Sequence, residues 1–296
     1  MLGADVRIPA VAGAFYPADP ETLTHDLTAY LAPPVTENEK FDDALGCVVP
    51  HAGYMYSGHV AGAVYRRLPA RSTYIILGPN HYGRGVPLAM MSSGAWRMPL
   101  GDVFIDQVVA RSLRDACHLI EEDARAHEEE HSLEVQVPFL EASGKPFTIV
   151  PVAVGVASYA PLDALGKGLA QVVRHAPQPV FIIASSDMNH YEADGITRIK
   201  DHKAIEKILE LDPQGLYEVR RRENITMCGY GPVIALLTAA RELGATRAEL
   251  VKYATSADAG GSRDRVVGYA GIVVRAGVGS GQEAASNQPE DNQQSF

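Results

Sequence analysis

Residues 46–58, GCVVPHAGYMYSG, run from an apolar segment straight into a Pro-His-Ala-Gly turn. The apolar run is short and unbroken, with β-branched residues, which is the mark of a strand covered on both faces. The same placement recurs in STYIILGPNHYGRG (72–85) and VFIIASSDMNHYEADG (180–195). Three buried strands, each followed within a few residues by a histidine, predict a layered α/β domain. In open α/β sheets the crevice at the carboxyl ends of the strands is where ligands collect.

Working outward, further strands are expected at 86–92, 147–154, 249–254 and 266–275, beside 45–49, 73–78 and 179–185, from runs rich in Val, Ile, Ala and Tyr between turn residues. Helical patterns intervene near 57–68, 102–116, 132–142, 160–175, 197–210, 213–222 and 232–243. This alternation predicts one α/β domain with a mixed, mostly parallel central sheet flanked by helices. A further helix begins at DPETLTHDLTAYLAPP (19–34), where Asp19 precedes Pro20 at a first helical position. The domain is expected over 1–276. The tail 277–296, poor in apolar residues and rich in Gly, Ser, Gln and Asn, is expected to be disordered.

Composition sets outer bounds. The chain has 296 residues, 46% hydrophobic and 21% charged, with a formal net charge of -10. That acidic balance, without a Lys/Arg-rich block, argues against a nucleic-acid partner. No apolar run approaches the roughly 20 residues needed to span a bilayer, and MLGADVRIPAV has no basic region leading into a long apolar one. The expectation is a cytoplasmic protein without a membrane segment. Three scattered cysteines make no disulfide framework. Cys47 lies in a strand pattern and Cys117 at a helix end, and both read as core residues.

Cys228 is different. In ENITMCGYGPVIALLTAARELG (223–244) it lies just before an amphipathic helical pattern opened by Gly231-Pro232. A helix N-terminus favours thiolate over thiol, and so a nucleophile or metal ligand. His51, His81 and Cys228 would supply two imidazoles and a thiolate to a transition metal, with a position left for substrate or water. Asp187 stands three residues before His190 in SSDMNH, close enough for a turn to bring its carboxylate to the imidazole, so this pair is assigned to catalysis. His131 in EEEHSLEVQVPFL (128–140) is a further pocket candidate, Ser132 a candidate helix cap, and Glu128, Glu129 and Glu130 read as a solvated helix entry.

Taken in order, VAGAFYPADP, PHAGYMYSG, GPNHYG, EEHSLEVQVPFL, SSDMNHY, CGYGP and VVGYAGIVVR resemble the Memo family, whose bacterial and archaeal members are named as protein B of the AmmeMemoRadiSam system. The resemblance implies a fold like that of class III extradiol dioxygenases, with a metal pocket in the corresponding crevice. It places the family's ligands on His51, His81 and Cys228, and its additional pocket residues on Asp187 and His190. It also implies a pathway shared with AMMECR-type and radical-SAM proteins.

A cysteine in place of the carboxylate of the dioxygenases changes the softness and charge of the site. Iron, copper and zinc all suit its donors. The leading expectation is a metal-dependent oxidoreductase in which the metal activates dioxygen or substrate while Asp187 and His190 manage protons. Its rivals are an adaptor binding a small-molecule or phosphopeptide ligand, and a metal-free hydrolase with Cys228 as nucleophile, His190 as base and Asp187 as orienter.

Overall fold

The computed structural model describes residues 6–36 and 39–277. The described residues begin with a two-residue strand, β1 (Val6–Arg7), followed by helix α1 (Pro20–Leu31), which has Pro20 at its first position as expected and whose Asp19 side chain accepts the Thr22 N–H. Strand β2 (Ala44–Val49), helix α2 (Tyr54–Tyr65) and strand β3 (Thr73–Pro79) carry the first two histidine turns. Strands β4 (Leu88–Met90), β5 (Ala95–Met98) and β6 (Gly101–Phe104) follow, then α3 (Gln107–Ala116), β7 (Glu121–Glu122) and the short α4 (Val137–Glu141). The second half runs β8 (Thr148–Val154), α5 (Tyr159–His175), β9 (Val180–Ser185), β10 (His190–Glu192), α6 (Asp194–Leu209), α7 (Pro213–Arg222) and α8 (Tyr230–Glu242). It closes with the long pair β11 (Ala245–Thr255) and β12 (Val266–Ala276).

Nine strands among the described residues form one mixed sheet, ordered β10-β12-β2-β9-β3-β8-β4-β7, with β11 also paired to β12. Its centre, β2-β9-β3-β8, is parallel, and antiparallel pairings flank it at β12-β2 and β8-β4. The unbroken apolar runs now have a physical cause, because successive side chains of one strand enter two different cores. Ile75 and Leu77 of β3 pack with α3, α5 and α8, while Tyr74 and Ile76 pack with α1, α2 and α4. Each fully buried Ile or Leu contributes about 1.5–3 kcal/mol, which favours apolar residues on both faces. Cys47 and Cys117 are buried in these two cores, as expected.

Parallel register brings the strand ends together. Val49 pairs with Ser185 and Leu77 with Ala184, so the turns after β2, β3 and β9 emerge at one edge.

Several expected boundaries differ. The helix expected from 102 begins only at Gln107, because residues 95–104 form a hairpin closed by Gly101 at φ 154° and capped off by Asp106. The helix expected over 132–142 is a single 3-10 turn (Glu134–Gln136) leading into five α residues. Residues 133–140 are buried on every side, so the segment is a plug between layers and not an amphipathic surface helix. Helix α8 is likewise buried from Gly231 to Ala240. The tail beyond 277 lies outside the described residues.

Candidate metal centre

His51 is 2% exposed, and hydrogen bonding fixes its ring. Pro50 carbonyl can only accept, so the Gln136 group 2.9 Å from it is the amide nitrogen; the Gln136 oxygen then accepts from Tyr65 Oη at 2.9 Å. The same amide nitrogen donates to Ser185 Oγ at 2.8 Å, and Ser185 donates its only hydrogen to the Ser132 carbonyl at 2.6 Å. Ser185 has one lone pair left, so His51 Nδ1, 2.9 Å away, must be the donor. Nε2 is left as a free lone pair facing Cys228 Sγ at 3.2 Å. The backbone is pinned too, since His51 N–H donates to Asp187 Oδ1 at 2.8 Å.

His81 is held by Glu130. Its N–H donates to Glu130 Oε2 at 2.6 Å, and its Nδ1 lies 2.9 Å from Oε1, which also accepts the Ser132 N–H at 2.9 Å. Burial pushes the Glu130 carboxyl up, but the hydrogen bonds it accepts from the His81 ring and from the Ser132 and His81 backbone N–H groups outweigh it and hold the carboxyl below its usual range. An ionised Glu130 makes Nδ1 the donor and leaves Nε2 of His81 free, the carboxylate–imidazole pairing that orients metal ligands. The solvated reading of the acid run holds for Glu128 and Glu129, which are exposed, and fails for Glu130, which is 1% exposed. Ser132 does not cap a helix; its hydroxyl donates to the Pro79 carbonyl and ties the 130s segment to the end of β3.

Cys228 reaches the same point from the entrance of α8. Gly229 N–H donates to Ser186 Oγ at 3.0 Å, and a Cβ on Gly229 would sit 2.2 Å from the Ser185 carbonyl oxygen. Only glycine lets the chain pass that close to β9. Ligand atoms of His51, His81 and Cys228 all lie within 4.8 Å of one another. Burial, and then the neighbouring Asp187 carboxylate, push the Cys228 thiol up, overriding the helix-end effect expected from sequence. A thiolate at this position therefore needs an added positive charge, and a bound cation would supply one. Two imidazole nitrogens with their other nitrogens already engaged, plus a thiol, form a donor set that fits iron, copper or zinc.

The remaining expected residues line the same cavity, about 670 Å³ in volume, with Phe15, Ala52 and Val267 on its apolar side. His131 stacks on His81 at 4.7 Å and 13° and meets Phe15 at 4.8 Å. Burial pushes its imidazole down. His81, Glu130 and His131 make a second close group, but His131 Nδ1 is 3.6 Å from Glu130 Oε1, too long for a hydrogen bond. His190 Nδ1 lies 3.0 Å from the Thr226 carbonyl, which can only accept, so its Nε2 is the nitrogen available to the cavity. Asp187 holds the His51 turn, not the His190 ring. The base–orienter pair required of a cysteine hydrolase is therefore not formed.

Sequence reasoning missed the supports Glu130, Gln136, Ser185 and Thr226, and the N-terminal wall. Glu134, fully buried, accepts from Ala10 N–H, Val11 N–H and Tyr16 Oη and pairs with Arg7 at 2.7 Å, which seats Phe15 on the cavity. The available signal was a run of polar residues, Glu130, Ser132, Glu134 and Gln136, alternating with His131, Leu133 and Val135 and leading into the apolar VPFL.

Comparison with known proteins agrees with the motif resemblance. The family described as Memo-like protein matches residues 7–273. A MEMO1 family protein of Pyrobaculum arsenaticum is 44% identical over 276 residues, covering 90% of this chain and 98% of the relative. Those of Methanopyrus kandleri and Methanosarcina barkeri are each 42% identical, covering 92% and 91% of this chain and 99% and 100% of their own lengths. With its motifs, its fold and nearly its whole length accounted for, the chain belongs to the Memo-like protein family.

Proposed function

We propose that the protein is a metal-dependent oxidoreductase whose ion is held by His51, His81 and Cys228. The observation that carries this reading is the convergence of three donors from three separate loops, with Nδ1 of both imidazoles already committed to Ser185 and Glu130. A redox-active ion there, iron or copper, would supply electron transfer to dioxygen or to a substrate. His190 is placed to exchange a proton at Nε2 while Thr226 holds the opposite edge of its ring. Asp187 acts as a positioning residue through the His51 amide. His131 and Phe15 form the wall against which a substrate packs and from which water is excluded.

Metal analysis of anaerobically purified protein, followed by oxygen-consumption assays on candidate substrates, tests the reading. Cys228→Ala is expected to lose most of the metal and any oxygen-dependent activity while keeping its fold. Equal metal affinity in Cys228→Ala and wild type would sink the His-His-Cys assignment. Ligand binding that persists unchanged after metal removal, with no turnover in the loaded protein, would point instead to a binding module.

A further inference from the structure

Beside the metal cavity lies a second one of about 320 Å³, lined by Arg220, Arg221, Asn224, Ile225 and Thr226. Thr226 lines both. The two guanidiniums meet only aromatic rings, Arg220 over Tyr230 at 4.0 Å and Arg221 over Tyr217 at 5.5 Å, and neither has a carboxylate partner among the described residues. Of the acids nearby, Glu223 pairs with Lys203 and Arg222, Glu192 with Lys200, and Glu218 accepts from the Gln214 amide.

Arginines at the end of α7 are expected to complement its helix dipole. That accounts for their charge but not for Arg220 Nε, which is buried without a hydrogen-bond partner. Buried donors are ordinarily satisfied, and this one belongs to a residue that lines the cavity. Asn224, held at φ 51°, adds to the same cavity a side-chain amide without a hydrogen-bond partner among the described residues. In a chain of net charge -10, two unpaired guanidiniums beside the reaction cavity form a local exception.

We propose that Arg220 and Arg221 bind the anionic head, a carboxylate or phosphate, of a substrate whose reacting end passes Thr226 to reach the His51, His81 and Cys228 cavity. Planar guanidiniums are suited to either head, since both present paired oxygens. The inference rests on the oxidoreductase reading only for what happens at the far end; anion binding itself needs no metal.

The test uses metal-free full-length protein, so its outcome is independent of whether the ion site is correct. Propyl phosphate and butyrate, which carry the two heads on short chains, are titrated while the Arg220 Nε–H and His190 ring signals are followed by NMR. Saturable shifts of both signals are expected with at least one probe, and the probe that binds more tightly identifies the head. Sodium chloride at matched ionic strength should not reproduce them. Arg221→Gln and Arg220→Gln should each weaken binding at least ten-fold, and Arg220→Lys should recover part of the loss. Because Arg220 packs on Tyr230, the exposed Arg221 variant keeps the test valid if Arg220→Gln fails to fold. Absence of saturable shifts with both probes, or affinity unchanged in Arg221→Gln, overturns the subsite. Binding that moves Arg220 but leaves His190 still overturns its assignment to the substrate.

Discussion

The two sides of the cavity are built differently. On one, His51 and His81 are backed by Ser185, Gln136 and an ionised Glu130, all buried, and the Arg7–Glu134 ion pair clamps the N-terminal segment over them. On the other, His190 sits in a three-residue strand at the margin of the sheet, and its neighbour Tyr191, at φ 63°, is 64% exposed. The first side holds each imidazole at Nδ1 by a buried side chain, Ser185 for His51 and Glu130 for His81. The second holds its imidazole through one backbone carbonyl, that of Thr226, at the sheet margin.

The comparison is most easily broken at Glu134. Glu134→Ala leaves Arg7 buried without its countercharge and frees two backbone N–H groups, at a cost of about 3–5 kcal/mol. Chemical denaturation should show that loss, and metal analysis a parallel fall in occupancy as Phe15 and the 130s segment loosen. Retention of both would mean that the N-terminal clamp is dispensable.

The His190 side has its own buried acid. Asp201 accepts the Asn189 N–H at 2.8 Å and the Tyr253 hydroxyl at 2.7 Å, and burial raises its carboxyl to about 7. The folded state therefore holds a proton that the unfolded chain releases near 3.8. Stability from this group is complete below that value and is lost as pH rises toward 7, by up to about 4 kcal/mol. Asp201→Asn should flatten the stability–pH curve across this window. An unchanged slope would exclude Asp201 as its source.

Smaller effects separate the two sides more finely. Glu130→Gln should weaken metal affinity about 10–100-fold with little change in global stability, as expected when the partner of a ligating imidazole is altered. Thr226→Val removes the hydroxyl that accepts the His190 N–H at 2.8 Å and should cost about 1 kcal/mol while leaving metal content at wild-type levels. If Thr226→Val lowered metal content as far as Glu130→Gln, the division between the sides would fail.

What could be read in the sequence followed from local rules. Apolar runs ending in His51, His81 and the SSDMNH turn located the parallel centre and the crevice, because strand periodicity and turn chemistry are short-range properties. Glu130 was misread for the opposite reason. Its two neighbours are solvated, and only the fold, by setting β3 against the 130s segment, turns one acid of three inward to His81. The second strand of the 95–104 hairpin overlaps the helical pattern expected from 102, because Gly101 acts through its backbone angle, which composition does not display. Pairing of Asp187 with His51 instead of its near neighbour His190 is likewise a contact across 136 positions.

Cys228 and His51 stand 177 positions apart, yet their donor atoms are 3.2 Å from each other. An ion shared between them would act as a removable cross-link across most of the chain, present in the folded state and absent from the unfolded one. Conformational stability then becomes a function of metal supply: free ion at a hundred times its dissociation constant adds about 2.7 kcal/mol. For such a protein, starvation for the ion would reduce not only activity but the lifetime of the chain itself.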